Sequence, residues 1–201
     1  MRQTTLLLYL TKAAPFVHFD EVTKTYVMIK GISGPFNGTV CGACETDKVE
    51  RITRNVVDLN HPMMQEYFTF SLWEKDLLAR SRLTKAEMSV YDPKFAIYLE
   101  SPKPIVPMPI TRLAKNAFSE EDIASHPHTV TLYKDMVRAP QNMCRAYWFR
   151  DGDWKQVIVL SVRARFFCDI MNGKKDIEVR RSVLRELKEM AEFGYLEKGN
   201  K

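Results

Sequence analysis

Residues 144–162 read CRAYWFRDGDWKQVIVLSV, and how this stretch divides decides the fold. Its two halves, 144–149 and 154–162, are rich in aromatic and β-branched residues, which favours extended chain. Between them stands Arg150-Asp151-Gly152-Asp153, whose Asp-Gly pair accepts the positive φ angles of a two-residue hairpin turn. Beyond the turn, residues 157–162 are apolar at nearly every position rather than at alternate ones. A strand of that kind is covered on both faces, so it is expected near the middle of a sheet.

Working toward the N-terminus, short apolar or alternating runs at 4–11, 16–19, 26–29, 39–43 and 49–53 read as strands. Ala14-Pro15, Asp20-Glu21 and the run Gly31-Ile32-Ser33-Gly34-Pro35 supply turns between them. Strands so closely spaced are expected to form an antiparallel meander. Residues 63–88 suit a helix, with Tyr67-Phe68-Thr69-Phe70 as a strand alternative; Asp92-Pro93 ends the segment and 95–99 is a strand. Residues 101–109 carry four prolines in nine positions, so they read as a stiff extended connector. Ser119, with Glu120, Glu121 and Asp122 behind it, opens a short helix, and 129–133 is a further strand. The spacing of Val179, Val183, Leu187 and Ala191 predicts a last helix from Asp176 to Gly194, where glycine suits a left-handed terminator.

The expected fold class is therefore α+β, with an N-terminal antiparallel β-rich part and a C-terminal β-hairpin plus helices. The matching division is a β-rich domain with a helical insertion at 1–100, a proline-rich connector at 101–110 and a basic α+β domain at 111–201. A single domain is the alternative at 201 residues.

A hydrophobic content of 45% with 27% charged residues is that of a folded chain, not of a disordered tail, a collagen-like rod or a disulfide-rich mini-protein. No apolar run approaches the roughly 20 residues a membrane-spanning helix needs. Residues 1–19 hold Arg2 and Lys12 but no acid, which is compatible with a mitochondrial leader; a first strand is the preferred reading. Four cysteines in a chain long enough to build a core without disulfides point to a reducing, intracellular compartment.

Charge is distributed unevenly. The net charge is +5, and residues 126–201 carry fifteen Lys and Arg against ten Asp and Glu, so the whole surplus lies there. Such asymmetry suits an anionic partner. Arg145, Tyr147, Trp148, Phe149, Arg150, Trp154 and Lys155 gather guanidinium, ammonium and aromatic groups around one hairpin. Aromatic faces stack on unpaired bases while cations follow phosphates. Arg163, Arg165, Lys174 and Lys175 extend this basic supply, and Arg181, Arg185 and Lys188 fall on one face of the expected last helix.

The first functional reading is a non-enzymatic nucleic-acid-binding protein, favouring RNA or single strands, as a subunit of a ribonucleoprotein or replication assembly. The second is a structural subunit docking on protein partners, suggested by the connector and by eleven Phe, ten Met and eight Tyr. The third rests on Cys41-Gly42-Ala43-Cys44, two thiols spaced to grip zinc or to form a thiol–disulfide centre. No cofactor is expected under the first reading, and zinc is the candidate under the third. Neither a nucleophile elbow nor a phosphate-cradling glycine loop occurs in the sequence.

Overall fold

The hairpin forms around Asp151-Gly152, with φ of 55° and 77° at these two residues, the left-handed pair a tight antiparallel turn requires. It joins β8 (Met143–Arg150) to β9 (Asp153–Val162), paired from Arg150↔Asp153 outward. The computed structural model describes residues 3–52, 72–116 and 136–199. They belong to an α+β protein in two units, Met1–Asp47 with Leu99–Lys174 and Lys48–Tyr98 with Lys175–Lys201.

In the first unit, β1 (Thr4–Leu10), β4 (Val40–Thr46) and β7 (Glu100–Met108) join the hairpin in a five-stranded sheet of order β7-β4-β1-β9-β8. Only β1 and β9 run parallel; the other pairs are antiparallel. Both central strands are apolar on both faces because both faces are covered. Leu7, Tyr9, Ala43, Val157 and Val159 pack on one side with Met108, Ile110, Leu113 and Val137. Leu6, Leu8 and Leu10 alternate to the other side, over which lies α3 (Ala164–Met171) with Phe167 fully buried. A separate hairpin of β2 (Phe16–Asp20) and β3 (Thr25–Ile29) also packs on α3, where Tyr26 meets Phe167 edge-on at 5.6 Å.

The second unit has a three-stranded antiparallel sheet, β10 (Ile177–Arg180), β6 (Phe95–Tyr98) and β5 (Val49–Arg51), in that order. Its helices are α1 (Leu72–Ser81), α2 (Lys85–Tyr91) and α4 (Arg185–Gly199). Thr84 starts α2 through a reciprocal cap, its hydroxyl accepting from the Glu87 amide at 3.1 Å while Glu87 accepts from the Thr84 amide at 2.8 Å. Leu77, Met88, Ala96, Ile177 and Val179 form the core of this unit. Arg80 clasps Asp176 with two hydrogen bonds of 2.9 Å each and so ties α1 to the start of β10.

Several expectations change. The strands of the N-terminal part are no meander, because β1 pairs with β4 and β9 while β2 and β3 pair with each other. Residues 101–110 do not run as a connector between halves, since most of them lie in edge strand β7, hydrogen-bonded to β4. The units accordingly do not follow a 1–100/111–201 division; each is assembled from two separate lengths of chain. The last helix starts at Arg185 rather than Asp176, because 177–180 extend along β6 instead. The expected helix over 63–88 is two helices where it is described, broken at Arg82, whose φ is 61°. The readings for 67–70, 119–122 and 129–133 lie outside the described residues. No helix among the described residues is long and apolar enough to cross a membrane.

Candidate nucleic-acid interface

Strand alternation sorts the hairpin's side chains onto two faces. Trp148, Arg150 and Lys155 share the face of Ala146 and Val157, since Trp148 lies opposite Lys155 and Ala146 opposite Val157. Arg145, Tyr147 and Trp154 lie on the reverse face, where Trp154 meets the half-exposed Phe149 ring at 5.2 Å.

The first face carries a hollow of about 190 Å³ to which all five strands contribute. Ala43 of β4 and Val157 of β9 form its apolar floor, and Lys103 of β7, Arg150, Lys155 and Trp148 surround it. Thr5 and Glu45 complete the lining; the Thr5 hydroxyl lies 3.0 Å from each carboxylate oxygen of Glu45. The Arg150 guanidinium lies 4.8 Å from the centre of the Trp148 ring, so cation and aromatic face form one layered surface. Asp151 lies 3.8 Å from Arg150 Nε and 3.7 Å from Lys155 Nζ, distances of loose, solvent-screened pairs. Three cations thus face two carboxylates here.

The other sequence candidates are dispersed. Arg163 is exposed before α3, Arg165 is half-buried on α3 over the Phe166 ring at 4.9 Å, and Lys174 is exposed after the helix. Lys175, Arg181, Arg185 and Lys188 fall in the second unit. Lys175 does not extend an exposed basic surface: it is buried, with Nζ 2.7 Å from the Ser81 carbonyl and 3.2 Å from Glu178. Arg181 stands before α4, so it shares no helical face with Arg185 and Lys188, and Arg185 pairs with Glu189 at 2.8 Å. Lys103 is the lining residue that the sequence does not point to, because the prolines around it disguise its strand.

Cys41 and Cys44 are both buried on β4, and Cys41 occupies the irregularity where the register shifts against β1. Burial pushes the Cys41 thiol up to about 12 and the Cys168 thiol to about 11. These groups are thiols rather than nucleophilic thiolates at neutral pH. Among the described residues, no three or more His, Cys, Asp or Glu gather in a group able to hold a metal ion. At pH 8, iodoacetamide is expected to leave Cys41 and Cys168 unmodified in the native protein and to label both in urea. Rapid native labelling of Cys41, read by peptide mass spectrometry, would contradict this.

No family model matches the chain, and no curated protein or solved structure shows significant similarity to it.

Proposed function

We propose that the protein binds single-stranded nucleic acid, RNA foremost, on the face of the five-stranded sheet where Lys103, Trp148, Arg150 and Lys155 surround the hollow. The observation that carries this reading is the layering of Arg150 on Trp148 beside Lys103 and Lys155 around the hollow. A planar guanidinium stacked on indole offers a base a stacking surface, and the flanking ammonium groups follow the phosphates on either side. Strand addition along the edge of this sheet is a poorer mode, because Pro102, Pro104 and Pro107 remove backbone donors from β7.

Fluorescence anisotropy with labelled single-stranded RNA and DNA tests the reading. Binding is expected at low salt and is expected to weaken steeply as salt rises. Reversing Lys103, Arg150 and Lys155 together to Glu is expected to make the salt slope shallower by roughly 2, because each lost contact with a single strand removes about 0.7. A wild type that binds neither strand type at low salt, or a triple variant with unchanged affinity, would refute the proposal.

A further inference from the structure

The second unit holds a different hollow, of about 410 Å³, and among the described residues every ionisable side chain lining it is a cation: Arg51, Lys94, Arg181 and Lys188. The backbone fixes their convergence. Arg51 ends β5, Lys94 precedes β6, Arg181 follows β10, and Lys188 stands one turn into α4. The Ile52 amide donates to the Lys94 carbonyl at 2.8 Å, and the Lys94 amide donates to the Arg180 carbonyl at 3.0 Å. Three chain ends are thereby held side by side at one margin of the small sheet.

The four charges are not equally neutralised. Arg51 pairs with Glu192 at 3.2 Å and Lys94 with Asp92 at 2.9 Å, both at the exposed surface. Arg181 is held by uncharged groups instead, donating to the Tyr91 and Val90 carbonyls and lying 5.2 Å from the centre of the Tyr91 ring. Its position is thus fixed while its charge is kept, and three of its five N–H donors remain for another acceptor. Lys188 forms no ion pair among the described residues. Two cations without a counter-charge among the described residues and two loosely paired ones therefore face a space whose remaining walls include the apolar Ile52, Phe95 and Val183.

We infer that this hollow is a binding site for a phosphate monoester, with the dianionic phosphate among Arg51, Lys94, Arg181 and Lys188 and its organic body against the apolar wall. A monoester fits better than a strand's diester phosphate, because four converging cations match a doubly charged group. The volume also exceeds the need of a bare phosphate. This site is independent of the single-strand surface, since no residue is common to the two linings.

Isothermal titration calorimetry of the full chain with inorganic phosphate, a 5′-mononucleotide and the corresponding nucleoside tests the inference. The two phosphate compounds are expected to bind and the nucleoside is not. Tighter binding of the mononucleotide than of inorganic phosphate is expected from the apolar wall, whereas equal binding would overturn the monoester assignment. Lys188→Glu, on an exposed position, is expected to weaken both at least about tenfold, the order of one charge-assisted contact. Arg185→Glu, on the same helix but outside the lining, is expected to leave affinity within about twofold on the same scale. Absence of phosphate binding by the wild type, or equal affinity in wild type and Lys188→Glu, would overturn the inference. Lys103→Glu is expected not to alter phosphate binding, so failure of this site and failure of the strand-binding surface register separately.

Discussion

Replacing Glu178 by Gln is expected to cost about 3–5 kcal/mol of folding stability, the penalty for breaking a buried ion pair from one side. Glu178 lies buried on β10 between two buried cations, with one carboxylate oxygen 3.0 Å from Arg180 Nε and the other 3.2 Å from Lys175 Nζ. The amide would keep the shape but leave two cations in the interior without their counter-charge. Burial pushes the Glu178 carboxyl up, but Lys175 and Arg180 outweigh it and hold the group below the usual carboxylate range. A folded-state value below the unfolded one stabilises the fold above the unfolded value of about 4.3, and this stability is lost as pH falls through the folded value. Urea unfolding should therefore show a large gap between wild type and Glu178→Gln at pH 7 that closes in acid below about pH 4. A gap under about 1 kcal/mol at pH 7 would show the triad to be no more than a surface pair. Replacing all three together by apolar residues of similar size (Lys175→Met, Glu178→Leu, Arg180→Met) should be far milder than the single change, because no charge is stranded.

Phe167→Ala is expected to destabilise the first unit by about 3–5 kcal/mol, the range for a large aromatic removed from a packed core. Phe167 is fully buried on α3, and its ring closes a chain of edge-on contacts through Tyr26 to Phe19 and Phe36. It presses on β4 where that strand has Gly42: a Cβ there would stand 3.2 Å from the Phe167 ring, 3.2 Å from Leu8 and 3.1 Å from the Met171 sulfur. Gly42→Ala alone is thus expected to cost about 1–3 kcal/mol by overpacking. In a Phe167→Leu background the added methyl should cost less, since the ring it crowds is gone. A double-mutant cycle by chemical denaturation measures that coupling, and strict additivity would show that helix and strand do not meet at this dent.

The hairpin, the twice-covered strand β9, the short strands β1 to β6 and the end of α2 at Asp92 were legible because their signals are local. An Asp-Gly turn, an unbroken apolar run and a breaker act over a few residues. The errors arise where distant partners decide. Residues 177–180 carry Ile177 and Val179 for a strand but also fit the four-residue spacing of Val183, Leu187 and Ala191; pairing with β6 settles the choice. Prolines at 102, 104 and 107 spoke against a strand, yet an edge strand tolerates missing donors on its solvent side. The candidate site follows the same division. Arg150 and Lys155 were visible around their turn, while Lys103 becomes a neighbour only once β7 lies across the sheet from β8. Arg181 and Lys188 line one hollow without sharing a helix, because Arg181 precedes α4.

The parallel pairing of β1 with β9 sets an order on biosynthesis. Leu6, Leu7 and Leu8 leave the ribosome about 150 residues ahead of their partners Ile158, Val159 and Leu160. Until then the sheet's middle strand has β4 on one side and an open, leucine-rich edge on the other. A nascent polypeptide in that condition is a natural client for a holding chaperone, and slow emergence of residues 153–162 would lengthen its exposure to self-association.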